Sequence, residues 1–407
     1  MKNIFFSFLI LFTISSFSQI VIRGTVYDIK GPLEGAAVYF NNTMIGTTAN
    51  EKGEFSIPVK EGQHQLIISY LGYKTISYAL NTATYNKPLT FALVEEENML
   101  DEIIIKKTVY DDEWKYNLQR FEQEFIGRTE LAKDCKIVNP KVLHFNYNAK
   151  EQILTAIPRK PLEIIHKGLG YKIIYDLVDF TINKNYVSYL GYSRYEQLKG
   201  SKRKQKRWKK NRLQAYNGSA VHFYKSAMQD KIYEEGFIVN QFKRVANPER
   251  PSEKEIKKAR ALVRLSRSSI NFTKKIDTPK TAIDSALLVL RKVRLPKFKD
   301  YLYKSKVPQS EIISIKDNIP YLEFKDNIMV VYTKEKEEEG FILRNAFSKP
   351  RKATFQTSSI IPLERPSAIS KDGTLYNPLD IYYEGYWGYE KFGNMLPLDY
   401  VPVSSKQ

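Results

Sequence analysis

From residue 21 onward, short apolar-rich runs alternate with turn residues. VIRGTVYD (21–28), AAVYFNN (36–42), MIGTTA (44–49), EFSIPV (54–59), HQLIISYLGY (64–73), KTISYAL (74–80) and LTFALV (89–94) follow one another. Lys30, Gly31 and Pro32, then Asn50 to Gly53, then Glu61 and Gly62 supply the turns between them. Leu66, Ile68 and Tyr70 alternate with Ile67, Ser69 and Leu71, the period of a strand. Seven short strands in so short a span predict a small β-sandwich.

The period then changes. Asp111 and Asp112 precede Trp114, Leu118, Phe121 and Phe125, one face of a helix that Gly127 can end. Strand character returns over 141–195, in VLHFNYN, QILTAI, LEIIHKGLGYKIIYDLVDFTI and YVSYLGYSRY. The triplet LGY at 71–73, 169–171 and 190–192 suggests a bulge or bend where Gly lies between large residues. GSAVHFYKSAMQDKIYEEG (218–236) predicts a helix capped by Ser219 and closed by Gly236. FIVNQFKRV (237–245) reads as a strand, and Ser252 with Glu255 forms a capping box. IPYLEFKDNIMVVYTKEK (319–336) predicts a hairpin turning at Asp326 and Asn327.

The first eighteen residues fit neither pattern. Lys2 precedes an apolar run from Ile4 to Ile14, broken by Ser7 and Thr13, and Ser16 and Ser18 are small residues before Gln19. These are the three regions of a secretory signal peptide, which predicts export and a mature chain from residue 19. The run is too short to span a bilayer, and no later apolar stretch is long enough. With one cysteine, Cys135, an internal disulfide is excluded and stability must come from burial.

The order RGTVYD, PLEGAAVYF, GTTANEKGEFSIPV and LIISYLGYKT resembles the carboxypeptidase regulatory-like domain over roughly residues 20–95. The resemblance implies a transthyretin-like or Ig-like sandwich, common in secreted and surface proteins of Bacteroidota. It implies no peptidase activity, because the family takes its name from a non-catalytic module. MLDEIIIKK (99–107) is similar to the segment that joins such a sandwich to the plug and barrel of TonB-dependent receptors. The remaining 300 residues lack the amphipathic strand series of a large barrel, so the segment reads as a linker strand. The expected fold is mainly β with an α+β C-terminal part. The expected order is signal peptide 1–18, sandwich 19–95, linker 96–110 and a basic α+β domain over 111–407, with a sub-boundary near 200–250.

Charge divides the chain at the same place. Residues 19–110 hold eight Lys/Arg against ten Asp/Glu, whereas residues 111–407 hold 55 against 35. KGSKRKQKRWKKNR (199–212) concentrates this excess, with nine cations in fourteen residues and no acid. Lys202, Arg203, Lys204, Lys206, Arg207, Lys209, Lys210 and Arg212 are its candidate polyanion-binding residues, with Trp208 as an interfacial anchor; the alternative is a solvated basic loop or helix face with Trp208 packed on the domain. In an exported protein the expected partner is an anionic envelope surface, an acidic glycan or an envelope protein, and not nucleic acid. A second candidate surface is aromatic: Tyr383, Tyr386, Trp387 and Tyr389, read either as a platform for a sugar or peptide or as a core-closing turn.

Catalytic chemistry is weakly represented. None of His64, His144, His166 and His222 begins an H-x-x-E or H-E-x-x-H pattern. G-x-S-x-G, phosphate-loop and dinucleotide fingerprints are absent, and no cofactor is implied. Cys135 with His144 or His166 as base is the remaining enzymatic candidate. The expected function is non-enzymatic binding or scaffolding at the cell envelope, in the periplasm or at the outer membrane. The alternatives are an envelope peptide or glycan hydrolase, and an accessory subunit of an outer-membrane transporter.

Overall fold

A computed structural model of the chain describes residues 20–95, 108–184, 186–266, 271, 273, 275–344 and 351–402. The expected signal peptide and most of the linker segment lie outside the described residues.

Residues 20–92 form two four-stranded sheets. In the first, β1 (Ile20–Asp28) pairs antiparallel with β2 (Gly31–Pro32) and β5 (Glu54–Val59), and parallel with β8 (Leu89–Ala92). The second runs in the order β4 (Gly46–Thr48), β3 (Ala37–Phe40), β6 (Gln63–Ser69) and β7 (Ile76–Asn81). Alternation decides which side chains meet: Phe55, Ile57 and Val59 face inward from β5 while Glu54, Ser56 and Pro58 face out. They close a core with Ile22, Val26, Val38, Phe40, Leu66, Ile68 and Phe91. The expected sandwich is therefore present, with eight strands, one of only two residues.

Tyr39 and Ile67 sit opposite each other in register and point away from that core, yet both are buried. The second region covers them. The Asn42 N–H donates to the Ser193 carbonyl at 2.8 Å and the Tyr195 N–H to the Thr43 carbonyl at 2.9 Å. Ser193 returns an Oγ–H to Asn42 Oδ1, at 2.6 Å, and the Thr75 hydroxyl donates to Asp176 Oδ2 at 2.8 Å.

The second region holds two hydrophobic clusters. α1 (Asp112–Phe125) is capped by the Asp111 carboxylate, which accepts from the Trp114 N–H. Phe121 and Phe125 lay its apolar face on a six-stranded sheet of β9 (Cys135–Ile137), β10 (Leu143–Asn148), β11 (Ile153–Pro158), β12 (Leu162–His166), β13 (Tyr171–Ile182) and β14 (Val187–Gln197). β14 follows β13 along its whole length, whereas β12 pairs with the first five residues of β13 and β11 with its last two. Gly191 faces the bulge, but the extra residue is Val178 on the partner strand. Gly72 and Gly170, with φ of 86° and 74°, are turn glycines, so only one of the three LGY triplets lies at a bulge.

α2 (Lys202–Tyr216) and α3 (Ala220–Met228) lead to the second cluster. The helix expected over 218–236 is thus shorter; Ser219 caps it, and separate turns carry the chain to Gly236. β15 (Phe237–Ala246) begins a five-stranded sheet. α4 (Glu253–Leu265) and α5 (Ala282–Lys292), each with a capping box, intervene before β16 (Phe298–Lys304) returns beside β15. β19 (Asn327–Lys336), β20 (Phe355–Pro362) and β22 (Ile381–Gly385) complete the sheet.

The hairpin expected at Asp326 is not formed. β18 (Ile319–Leu322) pairs instead with β17 (Ile313–Lys316) through Asp317 and Asn318, both at positive φ, and with β21 (Ser367–Ala368) in a separate small sheet. The left-handed pair Asp317 and Asn318 suits a tight hairpin turn. Asp326, also at positive φ, only redirects the chain into β19.

Candidate functional site

The basic stretch is a helix. Ser201 caps it by accepting from the Lys204 N–H, and its inward face is Trp208, Arg212 and Ala215, at spacing i, i+4, i+7. Four side chains of α2 take successive carbonyls of the turn between β12 and β13. Trp208 Nε1 donates to Lys167 O at 2.8 Å, Asn211 Nδ2 to Gly168 O at 2.9 Å, and Arg212 Nε and Nη2 to Leu169 O and Gly170 O at 2.7 and 3.3 Å. Arg207 Nη2 adds a second bond to Lys167 O at 3.0 Å. The indole lies between two glycines. A Cβ at Gly170 would come within 2.2 Å of it and one at Gly200 within 2.4 Å.

Two expected polyanion contacts are thereby corrected. Trp208 is 3 % exposed and cannot seat in a lipid or glycan interface. Arg212 is buried, spans two carbonyls and lies 4.0 Å above the Tyr171 ring. Burial lowers its pKa from the usual guanidinium value. Both hold the helix to the sheet.

The other seven cations, Lys202, Arg203, Lys204, Lys206, Arg207, Lys209 and Lys210, are exposed. None forms an ion pair with a described residue. Helical geometry points Lys202, Lys206, Lys210 and Arg203 most directly away from the buried face. Local electrostatics oppose this arrangement. The first turn has no acidic residue and holds three cations at the positive end of the helix dipole. Lys202 and Lys206, Lys206 and Lys210, and Arg203 and Arg207 are like charges at i, i+4, each pair unfavourable by about 0.2–0.5 kcal/mol. The helix forms because its inward side chains are anchored, not because its surface favours it.

The catalytic candidates are brought partly together and left without a role. Cys135 and His166 are register partners on β9 and β12, both buried. His166 Nδ1 accepts from the Leu169 N–H, so Nε2 carries the proton and donates it to Gly393 O at 2.8 Å. Neither nitrogen is free to accept a proton from the thiol. Burial, with the nearby Glu122 charge, pushes the Cys135 thiol up to about 12. His144 lies on β10, at the far end of the strand order from β9. Among the described residues no cluster of His, Cys, Asp and Glu could hold a metal ion.

The aromatic C-terminus closes a core. The Tyr383 hydroxyl bonds to that of Tyr224 at 2.7 Å, and Trp387 donates from Nε1 to Gly218 O at 2.7 Å. Tyr386 is 2 % exposed, and Tyr389 donates to Arg128 O. These four residues are spent on packing, and the platform reading is corrected.

Residues 22–105 match the family model of the CarboxypepD_reg-like domain, so the sandwich and its resemblance agree. A search of curated proteins finds no match to the chain. Among the described residues no helix is long and apolar enough to cross a membrane, which says nothing of strands.

Proposed function

We propose that this chain is a non-enzymatic binding or scaffolding protein of the cell envelope, exported by its N-terminal leader, which docks on an anionic envelope surface through the outer face of α2. The observation that carries the reading is the set of seven exposed cations, none in an ion pair with a described residue, on a helix anchored at four consecutive carbonyls. Residues that lower local stability and remain solvent-facing are expected where function requires them. A rigid cationic ridge presents its charges together, so a polyanion meets them with little further ordering. The CarboxypepD_reg-like sandwich is consistent with an exported module and supplies no chemistry. The hydrolase reading loses its nucleophile and base to burial and to hydrogen bonds already made.

The test is co-sedimentation of residues 19–407 with vesicles carrying lipopolysaccharide, from about 0.02 to about 0.5 M salt. Lys202, Arg203, Lys206 and Lys210 are changed to Gln, while Trp208 and Arg212 are kept. At about 1 kcal/mol per cation near an anionic surface, the variant loses about 4 kcal/mol, roughly a thousandfold in affinity. Equal binding by both proteins, or binding that ignores salt, would refute the reading.

A further inference from the structure

A cleft of about 360 Å³ opens between α1 and β10, lined by Glu113, Tyr116, Asn117, Arg120 and Tyr147. The first four recur at i, i+3, i+4 and i+7 and so share one side of the helix, while Tyr147 comes from the strand. Tyr116 is 61 % exposed and Tyr147 38 % exposed, so parts of both rings are open to solvent. The Arg120 guanidinium lies 5.8 Å from one ring centroid and 5.3 Å from the other, and pairs with no described carboxylate. Asn117 is the unusual member. It is 5 % exposed, lines the cleft, and its amide makes no hydrogen bond to any described residue. Its amide atoms still touch the solvent of the cleft, so donor and acceptor are both open to a ligand.

We propose that this cleft binds a neutral pyranose unit of a glycan. The lining offers donors from Arg120 and Asn117, acceptors from Glu113 and Asn117, and two phenol rings. Sugar hydroxyls both donate and accept, so a row of them can satisfy this mixed set. A pyranose also has an apolar C–H face to lay on a tyrosine ring. A simple anion would face Glu113, and a simple cation would face Arg120. A free amino acid carries its two charges on one carbon, whereas the Cα atoms of Glu113 and Arg120 are about 10 Å apart along the helix. The volume lies at the small end of ligand sites, which run from about 300 to about 1,000 Å³. The proposal does not depend on the cationic helix.

The experiment is saturation-transfer NMR and calorimetry on residues 19–407 with methyl glycosides of glucose, galactose, mannose, N-acetylglucosamine and N-acetylgalactosamine. At least one binds with a dissociation constant of about 1 mM or tighter. Tyr116→Ala and Arg120→Ala, both at a partly open surface, each weaken it by about tenfold. Tyr186→Ala, on an exposed turn elsewhere, does not, and neither does the four-Gln variant of α2. Circular dichroism checks that each variant is folded. Absence of binding across the panel, or unchanged binding in both cleft variants, would overturn the proposal. Tighter binding of glycine than of any glycoside, lost in the same variants, would overturn it in favour of a zwitterion site.

Discussion

Trp208→Ala separates the packed indole seen in the structure from the interfacial indole that the surrounding lysines suggest. Trp208 is 3 % exposed, and Gly170 and Gly200 both lie directly against its indole. Glycines have no side chains to relax into the space, and Gly170 is held at φ +74° by the turn. The cavity therefore persists, and the cost belongs near the middle of the range for removing a buried large aromatic, about 4 kcal/mol. The lost Nε1–H bond adds little, because Lys167 O keeps the Arg207 donor at 3.0 Å. Trp208→Phe keeps most of the volume and loses the hydrogen bond, so it costs about 1–2 kcal/mol. Urea denaturation followed by far-UV circular dichroism, with hydrogen exchange at the turn 167–170, reads both. The folded fraction of Trp208→Ala should bind anionic vesicles as the parent does. Unchanged stability, within about 0.5 kcal/mol, together with lost vesicle binding would refute this account and place the indole in the membrane interface.

Four further outcomes are expected. Changing Lys202, Arg203, Lys206 and Lys210 to Gln relieves three i, i+4 repulsions and two cations at the helix start, raising stability by about 2 kcal/mol in low salt, as a denaturant titration would show. Asn117→Leu removes the amide donor and acceptor from the cleft, so calorimetry finds its glycoside binding gone while circular dichroism shows the fold kept. Burial, then the charges of Glu338 and Glu335, push the Glu390 carboxyl up to about 8, from a usual value of 4.5. The folded state keeps this proton after the unfolded state has lost it. Stability thus falls as pH rises from about 4.5 to about 8, by at most about 1.4 kcal/mol per pH unit from this group. Melting curves of Glu390→Gln should lack that component. Cys135, with its thiol pushed up to about 12, should resist iodoacetamide in the native protein and react fully in urea, as mass spectrometry would record.

Much of the local architecture was legible from spacing. The alternation in EFSIPV became β5 with Phe55, Ile57 and Val59 inward. The pattern of Trp114, Phe121 and Phe125 became the buried side of α1. Ser252 and Glu255 formed the capping box that their separation predicts. These signals are short in range: a strand or helix period, or a side chain reaching a backbone group three residues away, is set by neighbours along the chain.

What packing decided lay beyond any local window. Two Asx pairs in the sequence compete for one hairpin, only Asp317 and Asn318 are both left-handed, and 319–322 turned back through them because β19 is claimed by β15 and β20. Tyr39 and Ile67 are buried on a face that a lone sandwich would leave wet, because β13 and β14 cover it. The basic run could be read from composition, but its division could not: seven residues face solvent, while Trp208 and Arg212 reach carbonyls about forty positions earlier. Asn117 looked like one more polar position on a helix until Tyr147, thirty residues on, walled its cleft. By itself the sequence determined the sandwich strands, the faces and caps of several helices, and where charge would concentrate. Only the tertiary structure decided which faces are covered, because burial and partner choice depend on surfaces that meet after distant segments have folded together.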